Sequence, residues 1–233
     1  MRNSSVVVLP TYNEAANLAP LVERLYEWPV DVLVVDDGSP DGTGELAEGL
    51  AAASQGRLEA LHRPGKMGLG SAYLLGFRRA LAQDYQHIFE MDCDFSHDPA
   101  YVPVLLGETQ KADLVLGSRY VPDGGTVNWG LPRRLISRFG SAYAGAILRL
   151  PYRDLTGGFK CFRRSVLEAL DLTAVRSNGY GFQIELTYRA HQRGFRIVEV
   201  PIVFQERRAG ASKMSRSIVT EAMLMVWRLK LGA

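Results

Sequence analysis

His87-Ile88-Phe89-Glu90-Met91-Asp92-Cys93-Asp94 is a short apolar run that closes on two carboxylates one residue apart. If the run is a β-strand, its side chains alternate across the sheet. Asp92 and Asp94 then leave one face at the carboxyl end while Cys93 points away. Hard carboxylate oxygens turned to one point pack poorly but suit Mg²⁺ or Mn²⁺, which complete their shells with water and phosphate oxygens. The same letters also describe an ordinary Asp-rich turn, and D-x-D alone does not choose between the two.

The preceding residues supply context. Ser5 to Leu9 is a continuous apolar run that Pro10 is expected to stop, the pattern of a strand buried on both faces of a parallel sheet. Leu18, Leu21, Val22 and Leu25 then fall on one helical face, and that helix ends before Pro29. Val30 to Val35 reads as a second strand, closing on the acidic turn Asp36-Asp37-Gly38-Ser39-Pro40-Asp41-Gly42 ahead of a helix with Leu46 and Leu50. Leu58 to Leu61 is a third strand. The glycines of Arg63-Pro64-Gly65-Lys66-Met67-Gly68-Leu69-Gly70 fit either a close backbone approach to an anion or a plain tight turn. Their spacing matches neither the P-loop nor the dinucleotide fingerprint. Strand, helix, strand, helix predicts an α/β fold, a Rossmann-like, mostly parallel central sheet flanked by helices.

Three strand ends thus carry polar residues: Tyr12 and Glu14, Asp36 and Asp37, Asp92 and Asp94. The carboxyl edge is where open α/β sheets bind ligands, so their recurrence there points to a nucleotide-phosphate and metal site.

Beyond Asp94 the spacing predicts a helix near Tyr101 to Leu106, a strand Asp113 to Leu116, then Gly117-Ser118-Arg119-Tyr120. A loop over 121–129 leads to a long helix, Leu131 to Leu150, on which Arg133 and Ser137 share a face. Leu155-Thr156-Gly157-Gly158-Phe159 is a close-approach loop, and Tyr180 to Arg193 a helix with Gln183 and Glu185 in its first turns. A strand from Phe195 to Val200, a basic turn Arg207 to Lys213 and an amphipathic helix from about Ser217 to Leu231 follow.

With 233 residues, 47 % hydrophobic and 22 % charged, the chain can bury a substantial core, and one domain over 1–233 is the simplest division. The net charge of +2 conceals an asymmetry: residues 1–116 hold 8 Lys+Arg against 17 Asp+Glu, net −9, and residues 117–233 hold 19 against 8, net +11. An acidic half suits a cation and an Arg-rich half suits phosphates or an anionic membrane, although two solvated faces of opposite sign would look the same. Cys93 and Cys161 make neither a disulfide framework nor a zinc site, which favours a reducing compartment. No signal segment is apparent, and no run of ~18 apolar residues suggests a spanning helix.

Taken together, Val8-Leu9-Pro10-Thr11-Tyr12-Asn13-Glu14, Val35 to Thr43, Met91 to Asp94, Gly117 to Tyr120, Leu155 to Phe159 and Gly210-Ala211-Ser212-Lys213 resemble the family 2 inverting glycosyltransferases. Within that family the last three blocks, with Arg133 to Arg138, are most similar to the dolichol-phosphate or polyprenol-phosphate mannosyltransferases. The resemblance implies a GT-A fold, a nucleotide-sugar-binding half over 1–116, an acceptor half over 117–210, and a C-terminal amphipathic helix over 211–233. It implies GDP-mannose as donor, dolichol or polyprenol phosphate as acceptor and Mg²⁺ or Mn²⁺ as cofactor. Residue by residue, it makes Pro10, Tyr12, Glu14, Val35, Asp37 and Cys93 nucleotide-sugar contacts, with Arg207 and Lys213 on the donor phosphates. Asp92, Asp94 and Ser96 become the metal site, with Asp92 and Asp94 also on the donor diphosphate and, with Arg119 and Arg133, catalytic, although relatives often have Gln where Ser96 stands. Arg119, Arg133 and Ser137 become an acceptor-phosphate clamp.

The expected chemistry needs no general base, since a phosphate monoester with a second pKa of ~6 is already largely ionised and needs orientation instead. The expected location is peripheral, on the cytoplasmic face of a membrane, with the last helix either in the interface or docked as a core helix. The rivals are a polyprenol-phosphate glucosyltransferase using UDP-glucose and a non-catalytic nucleotide or anionic-lipid binding module. Nucleic acid is disfavoured, because the basic half lacks a recognition module.

Overall fold

The structure, a computed structural model, describes residues 3–175, 177, 179–206 and 216–231. In chain order it contains β1 (Ser5–Thr11), α1 (Ala15–Leu25), β2 (Asp31–Asp36), α2 (Thr43–Ala53), β3 (Leu58–His62), α3 (Leu69–Leu81) and β4 (His87–Glu90). After a short 3₁₀ turn come α4 (Val102–Glu108), β5 (Leu114–Ser118), β6 (Gly125–Thr126), α5 (Leu131–Leu148), β7 (Lys160–Arg163), α6 (Arg164–Ala169), α7 (Gly179–Gln192), β8 (Ile197–Pro201), β9 (Val203–Phe204) and α8 (Arg216–Leu231).

Seven strands form one sheet in the order β3-β2-β1-β4-β7-β5-β8, while β6 and β9 pair in a separate two-stranded ribbon. Every pairing in the large sheet is parallel except those of β7, which runs antiparallel to both β4 and β5. The expected parallel core with flanking helices is therefore present, with one reversed strand inside it, next to the central β4. Sequence periodicity misses β7: Lys160-Cys161-Phe162-Arg163 is only four residues long and directly follows the Gly-Gly loop.

Alternation along the strands sorts the core into two layers. Val6, Val8, Val35, Ile88, Leu116 and Phe162 face α3, α6 and α7. Val7, Leu9, Val34, Phe89, Val115 and Cys161 face the layer holding α1 and α4. A third cluster joins α5, α7 and α8 through Ala144, Leu148, Ile184 and Val226.

Pro10 does not stop β1, which continues to Thr11. Val8 accepts from the Met91 N–H on the β4 side, and the β1–β4 ladder ends at Val8 and Glu90. The N–H that Pro10 lacks would face that same side two residues on, where β4 has already left the ladder. This divergence opens the sheet where the polar strand ends emerge.

Helix α3 crosses β1 and β2 so closely that a Cβ on Gly76 would meet the Val8 Cγ1 within 2.3 Å. Gly76→Ala should overpack this contact and lower stability by about 1–3 kcal/mol. The expected readout is a lower urea midpoint with an unchanged slope.

Candidate active site

β4 ends at Glu90, and the chain then turns so that Asp92 is half-buried and Asp94 buried. The turn is built by Phe95, which takes a left-handed backbone (φ 62) that non-glycine residues rarely adopt. It brings the Ser96 N–H back onto the Asp94 Oδ1 at 3.0 Å. Strain of this kind persists where surrounding structure enforces it, and it clusters at functional sites.

Asp92 is fixed from two sides: the Tyr73 hydroxyl donates to its Oδ1 at 3.2 Å, and its own N–H donates to His97 Nδ1 at 3.2 Å. Burial, and then the charge of Asp92, push the Tyr73 phenol well above its usual pKa, so it remains a neutral donor. Burial lowers the His97 pKa to about 4, and accepting the Asp92 N–H leaves its proton on Nε2.

Ser96 is buried, and its hydroxyl has no partner in the protein. Two carboxylates with an orphaned hydroxyl beside them match the donor preference of Mg²⁺ or Mn²⁺. No group of three or more His, Cys, Asp or Glu side chains forms a closed metal cage among the described residues. The arrangement fits a cation that also needs oxygens from its substrate. Cys93 is turned into the core beside Met91, leaving only its main chain toward the site.

The other strand ends divide into ligand-facing and structural groups. Tyr12 is half-buried, with the Lys66 ammonium 4.5 Å above its ring, so β1 and the glycine-rich loop face one another across this edge. The Glu14 N–H donates to Thr43 Oγ1, and the Glu14 carboxylate accepts from Asn17 at the start of α1. Asp37 is paired with Arg63, whose Nε donates to Oδ1 at 2.5 Å, and its Oδ2 accepts the Met67 N–H. Arg63 also holds the glycine-rich loop through Ser71 and the Gly68 carbonyl. Pro10 is half-buried at the same edge, whereas the Val35 side chain is packed in the core.

On the basic half, Arg119 follows β5 and is 5 % exposed. Its Nε and Nη2 donate to the two Asp154 oxygens at 2.7 Å each, and Nη2 donates to Thr156 Oγ1 at 2.9 Å. The Trp129, Phe204 and Tyr120 rings surround its guanidinium. Arg119 therefore presents hydrogen-bond donors from an internally neutralised pair. Arg133, in the first turn of α5, stacks on Trp129 with 4.1 Å to the ring centre and donates to Glu206 at 3.1 Å, while its Nε has no partner. Ser137 lies one turn on, close enough to Tyr120 to temper the burial that raises that phenol's pKa. Arg207 and Lys213 lie outside the described residues.

Between α5, α7 and α8 lies an apolar groove of about 340 Å³ whose lining includes Leu135, Phe139, Ile184 and Val226 together with Ser137 and Thr156. Leu135, Ile136 and Phe139 also reach solvent, so the groove opens onto an apolar face continued by Leu131 (70 % exposed), Leu224 and Trp227. Val226 docks α8 onto the domain, and the Trp227 indole donates to the Tyr143 hydroxyl. Sequence reasoning missed Arg63, Tyr73, Asp154 and Lys160 as supports of the site. Only Arg63, inside a glycine-rich loop, carried a visible signal.

A family model described as Glycosyl transferase family 2 matches residues 6–171. A polyprenol monophosphomannose synthase of Mycolicibacterium smegmatis is 48 % identical over 225 residues, 95 % of this chain and 85 % of that protein. An undecaprenyl-phosphate mannosyltransferase of Micrococcus luteus is 48 % identical over 230 residues, 98 % of this chain and 94 % of that protein. Among solved structures, glucosyl-3-phosphoglycerate synthase of Mycobacterium tuberculosis with Mn²⁺, UDP and glucosyl-3-phosphoglycerate has a TM-score of 0.70 at 20 % identity, covering 99 % of this chain and 80 % of that one. At that identity the likeness shows the shared GT-A fold.

Burial pushes the Asp154 carboxyl upward, but the charge and hydrogen bonds of Arg119 outweigh it and leave its pKa below the usual carboxylate value. Asp154→Asn strands a buried cation and should cost about 3–5 kcal/mol. A folded pKa below the unfolded one means that the unfolded chain binds the extra proton. The pair's contribution is thus complete above about pH 4 and is lost as pH falls through the folded value. Urea midpoints measured across acid pH should show that loss in the wild type and not in Asp154→Asn.

Proposed function

The chain belongs to glycosyltransferase family 2, and from that premise we propose that it transfers mannose, with inversion, from GDP-mannose to the phosphate of a polyprenol or dolichol. The observation that carries this reading is the apolar groove beside Ser137 and Thr156, which joins a polar anchor to an open greasy face. A lipid phosphate has that combination of an anionic head and a long apolar tail. The names of the two relatives agree with it.

At the donor end, Tyr12 with Lys66, Glu14, Pro10 and the Arg63-braced Asp37 would border the nucleoside, with Val35 and Cys93 offering only main chain. Asp92, Asp94 and Ser96 would hold Mg²⁺ or Mn²⁺, which supplies Lewis-acid neutralisation of the charge developing on the departing nucleoside diphosphate. Tyr73 and His97 keep Asp92 in one orientation throughout. Arg207 and Lys213 complete the reading as donor-phosphate contacts.

At the acceptor end, Arg133, Ser137 and Arg119 would orient a phosphate oxygen toward the anomeric carbon. The Arg133–Glu206 pair is partly exposed, and such pairs contribute about 0–1 kcal/mol, so a phosphate displaces Glu206 at little cost. A guanidinium fork matches phosphate oxygens, and the ionised nucleophile needs no proton removed.

Among the described residues no helix is long and apolar enough to cross a membrane. The face formed by Leu131, Leu135, Phe139, Leu224 and Trp227 is flanked by exposed Arg134, Arg138, Arg228 and Lys230. Apolar groups flanked by cations suit peripheral binding to an anionic leaflet, and the two free cysteines accord with its cytoplasmic side.

The purified chain should move mannose from GDP-mannose to a polyprenyl phosphate in the presence of Mn²⁺, and chelation should stop it. Asp94→Ala should lower the rate at least about a hundredfold. Transfer from UDP-glucose instead refutes the donor assignment, and an unaffected Asp94→Ala variant refutes the catalytic role of the acidic pair. Leu131→Glu combined with Leu224→Glu leaves the groove lining intact. It should weaken sedimentation with anionic vesicles at least about tenfold, given about 1.5 kcal/mol or more for each buried apolar side chain.

A further inference from the structure

Lys160 opens β7 opposite Glu90, two residues before Asp92, and is fully buried. Its ammonium faces three acceptors: the Gln183 carbonyl at 2.9 Å, the Gln183 Oε1 at 2.5 Å and the Glu90 Oε1 at 3.3 Å. The first two are hydrogen bonds and the third is an ion pair. The contact also fixes which way the Gln183 amide points, because an N–H₂ group cannot face an ammonium. The Gln183 nitrogen is consequently turned away from Lys160.

That nitrogen is buried, on a side chain 3 % exposed, and has no hydrogen-bond partner. The Glu90 carboxylate beside it takes at most one of the amide's two N–H donors. Leaving a buried amide donor unmade is costly, so the second N–H calls for an acceptor. The space before Gly158 is where one fits. A point one Cβ bond out from Gly158 lies 3.3 Å from Gln183 Nε2, 3.8 Å from His97 Cε1 and 3.9 Å from Asp92 Oδ1. The glycine keeps that volume clear directly beside the acidic pair.

We propose that Gln183 Nε2 is a donor-sugar contact, giving a hydrogen bond to a hydroxyl oxygen of the transferred hexose lodged against Gly158, with Lys160 and Glu90 as its buried mount. The inference rests on the nucleotide-sugar reading above and adds to it the residue that recognises the sugar apart from the nucleotide. A neutral amide suits a neutral hydroxyl here, since a second cation beside Asp92 would compete with a metal for the carboxylate.

The test is calorimetric binding of GDP-mannose and of GDP, both with Mn²⁺, to the wild type, Gln183→Met and Gly158→Ala. Gln183→Met removes the donor at nearly constant volume, and Gly158→Ala fills the space while leaving the Lys160 network whole, so either variant suffices if the other does not fold. Both should bind GDP-mannose about three- to tenfold more weakly than the wild type, with GDP affinity unchanged. Unchanged GDP-mannose affinity overturns the inference, and so does an equal loss for GDP, which would assign Gln183 to the diphosphate or to structure alone. A wild-type chain that binds GDP but gains nothing from the mannose moiety overturns it too. A wild type that binds neither ligand overturns the donor reading itself.

Discussion

A guanidinium taken almost wholly out of water keeps its charge only if a carboxylate goes with it, and the Arg119–Asp154 pair imposes that condition on the basic half of the molecule. Both side chains are almost completely buried. Glu199 on β8 accepts the Arg153 and Asp154 N–H groups, so the pair is tied to the sheet edge from behind. Thr156, which accepts from Arg119, lies 3.3 Å from the Ser141 hydroxyl on α5, and Ser141 in turn accepts the Leu155 N–H. β5, the Gly-Gly loop, β8 and α5 are thereby held in one register. The groove between α5 and α7 inherits its shape from them.

Charge serves opposite ends on the acidic half. Asp36 accepts from Thr11 and Ser39, and Asp41 accepts from Thr43 and from the Ala15 N–H at the start of α1. These acids close turns and cap helices, satisfying main-chain donors that would otherwise be orphaned. The recurrence of acids at one sheet edge therefore has two causes. Some are there to build the loops, and Asp92 and Asp94 emerge where the loops so built leave room.

Most of the parallel sheet was legible because buried strands write themselves as apolar runs, and because α1 and α3 carry one-sided apolar spacing. The acidic pair and the strand-end residues were legible for the same reason, since their positions follow from where each run stops. β7 was not legible, being short and reversed. The partners of Arg119 and Asp37 were hidden as well. Asp154 lies 35 positions from Arg119 and Arg63 lies 26 from Asp37, and no periodicity encodes pairs so far apart. Gln183 was visible as a helix residue, but its significance depends on Lys160 lying beneath it, a relation that exists only once the sheet is assembled. The placement of α8 was open on amphipathicity, and the structure docks it on the domain: Val226 packs inward while Leu224 and Trp227 stay exposed.

The reversed strand inside the sheet bears on how the chain reaches this state. β1, β2 and β3 can pair through successive local crossovers, whereas β7 must slot between β4 and β5 after an excursion from Glu90 to its partner Lys160. Closing so long a loop is paid in entropy before any rung of the ladder repays it, and topologies rich in such distant pairings fold slowly. The rungs that carry Lys160 under Glu90 are then among those that close late. A nascent chain would possess its nucleotide-side strands well before it possessed a finished floor beneath the acidic pair.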